Sequence, residues 1–336
     1  MKISVALCTW NGEKYLAEQL ASIFAQTLPV NEIVICDDKS SDNTISIIQD
    51  FQSRYPGIIS LVQNPQSLQA RKNFEQAIGL CTGDAIFLCD QDDRWVAGKV
   101  QATIDFFETH PKALGIFSNG YFLGEHGVNQ NKTIWGALSF SPALQQEARP
   151  ENMLEMLLKL NNFVTGAAFC IKKEAKAFLF PFFCALPHWH DYWIALKIAT
   201  RDQLYFLDEK LIHYRVHESQ QTGFSELRQD NDEAAFKEAV WSDHHDALRT
   251  DVLMPFIAKG LLRCWQFQKH LATTGQDTGR FRQLAALLAS QLTLIKQRHF
   301  KQLGFIEKKK LFVKSCIRPG KYFYFNLKDR LGLLLG

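Results

Sequence analysis

No window of about eighteen apolar residues occurs in the 336-residue sequence, so no segment reads as a membrane-spanning helix. The first apolar run ends at Cys8, and Asn11, Gly12, Glu13 and Lys14 then interrupt it, so it does not read as a signal peptide. Charge of one sign is also lacking. Thirty-eight Lys and Arg against 35 Asp and Glu leave a net charge of +3, too little to point to nucleic acid as a partner. The eight cysteines form no C-x-x-C pair, and most sit in apolar runs such as Leu7-Cys8, Ile35-Cys36 and Leu88-Cys89. That excludes a zinc-ribbon or disulfide-scaffold reading in favour of reduced, buried thiols. Glycine-rich phosphate loops of the G-x-x-x-x-G-K-[ST] or G-x-G-x-x-G type are missing, and so are internal repeats and low-complexity segments. What remains is a soluble or peripheral protein, expected in the cytoplasm. Its 46% hydrophobic residues, with 26 Phe and 7 Trp, suffice for a sizeable core.

Over residues 1 to about 120, short apolar runs alternate with amphipathic stretches. Ile3–Cys8, Glu32–Cys36, Ile58–Val62 and Ala85–Cys89 read as strands. Between them, Tyr15, Leu16, Leu20, Ile23 and Phe24 recur at helical spacing, and so do Ile45, Ile47, Ile48 and Phe51, with Ser40 and Ser41 as candidate caps. Asn73–Ile78 opens a third helix. Strands of this non-alternating kind, separated by helices, predict an α/β fold around a parallel sheet. Such sheets bind ligands at the carboxyl ends of their strands. Here those ends carry Thr9-Trp10-Asn11, Asp37-Asp38 and Asp90-Gln91-Asp92-Asp93.

Asp90 and Asp92, two residues apart after an apolar strand, can turn toward one hard cation, the kind of ion that supports a departing diphosphate. The alternative is a solvated acidic turn with Asp93 capping a following helix. Asp37-Asp38 can receive a base or ribose, although Asp38-Lys39-Ser40-Ser41 is also an ordinary turn. Asp191, among His188, Trp189, His190, Tyr192 and Trp193, has the surroundings that raise a carboxylate to a general base; it could equally cap the helix Tyr192–Ala199. Arg215 could neutralise phosphate and His217 could hold a metal, against the plain reading of both as surface residues.

Taken in order, these segments resemble the family 2 glycosyltransferases, in particular the bacterial rhamnosyltransferase-like branch. The likeness runs from Ile3 to about Gly223. It is carried by Val5–Gly12, Gln19–Thr27, Val34–Thr44, Lys72-Asn73-Phe74, Gly83-Asp84, Asp90–Trp95, Thr165-Gly166, His190–Trp193 and Tyr214–His217. It implies a GT-A fold: a nucleotide-binding α/β sheet flanked by helices (1–120) abutting an acceptor-binding half (121–223). A mainly α-helical extension (224–336) would follow. It also implies an inverting, metal-dependent transfer of a sugar, with rhamnose favoured, from a dTDP- or UDP-sugar. The acceptor would be a saccharide or a lipid-linked sugar in cell-surface polysaccharide or O-antigen synthesis.

By the same likeness Thr9, Trp10, Asn11, Asp38, Lys72, Asn73, Asp90, Trp193 and Arg215 bind substrate. Asp90, Asp92 and His217 hold Mg²⁺ or Mn²⁺, and Asp191 is the base. The sequence departs from the family at Trp10, Gln69, Asn119 and Gln220. Gln69 stands where glycine is usual, so the loop is expected to take another path or avoid positive φ. Two rivals remain: a metal-dependent nucleotidyl- or phosphotransferase, and a non-catalytic scaffold that binds nucleotide sugar.

Beyond residue 223 the resemblance fades. Residues 224–250 read as exposed, charged helix or an acceptor-side segment. Leu284, Leu287, Leu288, Leu292 and Ile295 share one face of an amphipathic stretch. The last segment mixes Lys308, Lys309, Lys310, Lys314, Arg318 and Lys321 with Tyr322–Phe325 and Leu331–Leu335. That composition suits either a peripheral contact at the inner face of the plasma membrane or a helical subdomain packed on the core.

Overall fold

The computed structural model of the chain describes residues 1–160, 162–182, 190–217, 220, 250–273 and 279–302. The chain divides into two compact units, residues 1–154 with 162–231, and residues 155–161 with 232–336.

In the first unit the four expected strands form the parallel part of one sheet. They are β1 (Ile3–Thr9), β2 (Glu32–Asp37), β3 (Ile59–Gln63) and β4 (Ala85–Cys89), in the order β3-β2-β1-β4. Nearly every residue of β1, β2 and β4 is buried, because helices cover both faces. The helices between them are α1 (Leu16–Phe24), α2 (Thr44–Arg54) and α3 (Gln69–Leu80).

Helix α2 is not capped by Ser40 or Ser41. Asp42 accepts from the Thr44 N–H instead, and Ser40 bonds back to Asp37. Helix α3 starts four residues earlier than the sequence implies, at Gln69, whose φ of 62° lies in the left-handed region. The expectation that Gln69 avoids positive φ is therefore corrected. Its N–H, like that of Leu68, bonds to the Asp38 carboxylate, which holds the turn without glycine.

After β4 come the two-residue β5 (Arg94–Trp95), α4 (Lys99–Thr109), β6 (Gly115–Gly124) and β7 (Gly127–Thr133). The short helices α5 (Ile134–Ala137) and α6 (Pro142–Glu147) precede α7 (Met153–Leu160). Then follow β8 (Phe169–Lys172), α8 (Lys176–Leu179), α9 (His190–Ala199) and β9 (Leu204–Arg215). The sheet continues β4-β8-β6-β9-β5, with β7 paired to β6. Strand β8 is antiparallel to β4 and β6, and β9 is parallel to β6. The carboxyl ends of β6 and β9, and the start of β8, therefore lie along the same edge as the carboxyl ends of β1, β2 and β4. The apolar run from Phe163 is a strand only from Phe169, because Gly166–Ala168 makes a 3₁₀ turn at that edge.

In the second unit, helices Thr250–Thr273 and Gly279–Gln302 pack side by side, with Phe267 and Phe281 stacked at 5.8 Å. Phe281, Ala285, Leu288 and Leu292 make the buried stripe, whereas Leu287, expected on it, is exposed. Arg263 donates to the Leu158 carbonyl at 3.1 Å. No helix among the described residues is long and apolar enough to cross a membrane. The expectations for 224–249 and for the basic, aromatic segment 308–336 lie outside the described residues. Six cysteines are described, all free, which agrees with the reduced-thiol reading.

Candidate active site

A cavity of about 610 Å³ opens at this common edge, within the range of small-molecule sites. The loop after β1 supplies Trp10 and Lys14, and the loop after β4 supplies Asp90, Gln91 and Asp92. The turn before β8 supplies Thr165 and Gly166, the start of α9 supplies His190 and Asp191, and the chain after β9 supplies His217.

The acidic loop is fixed from below. Asp93 is buried and accepts from the Arg215 N–H at 2.8 Å, so it anchors the loop to β9 and caps no helix. The Arg215 guanidinium donates to the Asp92 carbonyl at 2.6 Å, pairs with Glu18 and lies 4.4 Å from the Tyr15 ring centre. His217 Nε2 stands 2.9 Å from Asp92 Oδ2, and its ring lies 4.8 Å from Tyr15. Burial, with the charges of Asp92 and Asp191, pushes the Asp90 carboxyl up to about 7. Burial, with the charges of Asp92 and Asp90, holds Asp93 well above the carboxylate range.

Across the cavity, Asp191 Oδ2 accepts from the Gly166 N–H at 3.1 Å. Its Oδ1 accepts from the Tyr192 N–H and, at 3.3 Å, from Asn162 Nδ2. Burial outweighs these three bonds and raises the carboxyl to about 6. Gly166 is required here: a Cβ would stand 2.8 Å from His190 Nε2, and the His190 ring cannot retreat because it stacks on Phe74 at 3.8 Å.

The first strand's loop is pinned through backbone. Gln91 accepts from the Trp10 N–H at 2.8 Å and donates to its carbonyl at 3.0 Å, so the half-exposed indole projects from a fixed base. Gly12 makes this reach feasible, since any Cβ there would collide with the Gln91 amide. Thr9 donates to Asp37, and Asn11, at φ 48°, accepts from the Ser41 N–H.

Asp38 lines the cavity, but Ser67, Leu68, Gln69 and Asn64 occupy its carboxylate. Burial alone would raise it; these bonds win and hold it below its ordinary value. Asn73 also lines the cavity and spends both ends of its amide on the Cys36 carbonyl and on Asn64.

Thr9, Trp10, Asn11, Asp38, Asn73, Asp90, Asp92, Asp191 and His217 are thus brought to one cavity, and Lys72, Trp193 and Arg215 are not. Lys72 pairs with Glu75 on the outer turn of α3. Trp193 is buried in α9 and donates to the Leu179 carbonyl at 2.9 Å. Arg215 lies beneath the acidic loop, as described above. Asn119, where the family often has Asp, accepts from the Gly120 and Trp135 N–H groups and holds the start of α5. Gln220 folds back onto the Arg215 carbonyl. No role was expected from sequence for Lys14, Glu18 or Asn162, and Gln91 was named only as part of the acidic segment.

Residues 4–171, half of the chain, match the family model for glycosyl transferase family 2, and the chain belongs to that family. Among curated relatives, the dTDP-rhamnosyl transferase RfbG of Shigella flexneri is 29% identical over 65% of this chain and 73% of its own length. An Escherichia coli protein named UDP-Glc:alpha-D-GlcNAc-diphosphoundecaprenol beta-1,3-glucosyltransferase WfaP is 26% identical over 79% of this chain and 97% of its own. The chain spans only 65%, 39% and 38% of the length of three other curated relatives. The crystal structure of Staphylococcus aureus TarS 1–349 with UDP-GlcNAc superposes with a TM-score of 0.56 at 15% identity. That match covers 99% of this chain and 90% of TarS 1–349. The fold is the expected GT-A arrangement of a curled mixed sheet flanked by helices.

Proposed function

We propose that this chain is an inverting glycosyltransferase that moves a sugar from a nucleoside-diphosphate sugar to a hydroxyl of a saccharide or lipid-linked acceptor. One observation carries the reading. A carboxylate raised to about 6 by burial, Asp191, faces across one cavity the acidic strand end that carries Asp90 and Asp92. A donor spanning that cavity places its anomeric carbon between a base and a charge-supporting site, the requirement for a single displacement with inversion. RfbG and WfaP, as named, use dTDP- and UDP-linked sugars, and the WfaP acceptor is a lipid diphosphate. They support the donor and acceptor classes, with rhamnose the favoured sugar.

The donor set also fits a hard divalent ion. Asp92 Oδ2 and His217 Nε2 are already 2.9 Å apart, Asp90 lines the same cavity, and two carboxylates with one imidazole suit Mg²⁺ or Mn²⁺. Among the described residues no three such side chains are gathered as a ready ion site. When bound there, the ion supplies positive charge to the departing diphosphate. The chain's own residues do the rest. Trp10 offers an indole face to the nucleotide base, while Asp38 and Asn73 hold the wall of that subsite through Asn64 and the 67–69 turn. Arg215 and Asp93 keep the acidic loop in register. Asp191 takes the acceptor's proton while Gly166, Tyr192 and Asn162 aim its carboxylate.

Asp191→Asn tests the assignment, because it keeps the shape and the acceptor oxygen but removes the base. Transfer should fall by about 10² to 10⁴, with nucleotide affinity, read by calorimetry, unchanged. Wild-type turnover in this variant would remove Asp191 from the role.

A further inference from the structure

The cavity is rich in negative charge, with Asp38, Asp90, Asp92 and Asp191 on its walls. A diphosphate entering it needs a cation besides any metal. The two basic residues expected to provide one are turned away: Lys72 pairs with Glu75, and Arg215 is held by the Asp92 carbonyl and Glu18. Among the described residues that line the cavity, Lys14 is the only Lys or Arg.

Lys14 comes from the loop between β1 and α1. Its ammonium sits 4.9 Å from the centre of the Tyr15 ring, and that ring contacts both His217 and the Arg215 guanidinium. Tyr15 therefore anchors Lys14 at the end of the cavity where His217 meets Asp92. The side chain is exposed and has no carboxylate within ion-pair distance among the described residues. An unneutralised cation on a flexible stem, fixed at its root beside the acidic strand end, has the form of a phosphate ligand.

We infer that Lys14 binds the donor's diphosphate and carries over to the departing nucleoside diphosphate, with the Tyr15 ring as its platform. This rests on reading the cavity as a nucleotide-sugar site.

The test measures, on the full chain with MnCl₂, the affinities of UDP and dTDP beside those of uridine and thymidine. Wild type, Lys14→Met, Lys14→Arg and Lys112→Met are compared, the last removing an exposed charge at the opposite end of the sheet. Lys14→Met should weaken the preferred diphosphate about tenfold, the scale of one charged hydrogen bond. It should leave the matching nucleoside unchanged. Lys14→Arg should recover most of the loss, and Lys112→Met should show none. Equal diphosphate affinity in wild type and Lys14→Met overturns the role of Lys14 while the cavity reading stands. A parallel loss of nucleoside and diphosphate also overturns it, because the lysine would then be shaping the loop. A wild-type protein that binds neither diphosphate brings down the cavity reading and this inference together.

Discussion

At the scale of single residues, the site is governed by how each carboxylate is solvated. Asp38 and Asp191 are both withdrawn from water, yet they move in opposite directions. Four hydrogen bonds hold Asp38 low, while at Asp191 burial outweighs three. The value of about 6 sets a pH dependence. On the proposed assignment, protonation of Asp191 below that value removes the base, so kcat should rise as pH climbs through about 6 and level off above. Removing one lowering contact with Asn162→Ala should shift that inflection upward. A profile flat from about pH 5 to 8 would show that this group does not limit the reaction.

What sequence could foresee at this scale was which carboxylates gather at the cavity, because Asp38 and Asp90 close apolar strands and Asp191 stands among aromatic residues. It could not foresee that Asp38 is consumed by the connection between β3 and α3, which supplies Asn64, Ser67, Leu68 and Gln69. Gln69 shows the same limit. Intrinsic preference argues against φ 62° at a cost of about 1 kcal/mol. Two backbone donors to Asp38 offset that cost, and only the tertiary fold brings them together.

At the scale of elements, the connections matter more than the strands they join. Strands β1, β2 and β4 were legible from their unbroken apolar runs, to within a residue or two at each end. The other half was legible only in part: Leu204–Leu211 is strand-like in sequence, but β9 runs on to Arg215 and β8 is only four residues long. Yet that half delivers Asp191 to the cavity. The 3₁₀ turn Gly166–Ala168 passes so close to His190 that its N–H reaches Asp191. Gly166→Ala should force the turn and α9 apart, at about 1–3 kcal/mol for an overpacked contact. A lower melting temperature and a kcat reduced at least about tenfold are expected, with donor KM little changed. Normal kcat at normal stability would mean that the turn does not position the base.

At the scale of the whole molecule, one sheet edge collects contributions from segments spread over the parallel and antiparallel parts of the sheet, so the site exists only once the mixed sheet is complete. The described residues that line the cavity all belong to the first unit. Family membership was readable from the spread of short motifs along residues 3–223. The donor was not, because sugar preference depends on the shape of a cavity whose walls come from distant segments.

The central claim is a metal-dependent nucleotide-sugar site. Its most direct test is a thermal-shift screen of dTDP-rhamnose, UDP-glucose, UDP-galactose, UDP-N-acetylglucosamine and GDP-mannose, each with and without Mn²⁺. A ligand at about 100 times its Kd stabilises the folded state by about 2.7 kcal/mol, enough for a rise of several degrees. A dTDP- or UDP-sugar should raise the melting temperature only with the metal, and Asp92→Ala should abolish the rise. No shift with any donor, or a shift indifferent to both Mn²⁺ and Asp92, would contradict the claim.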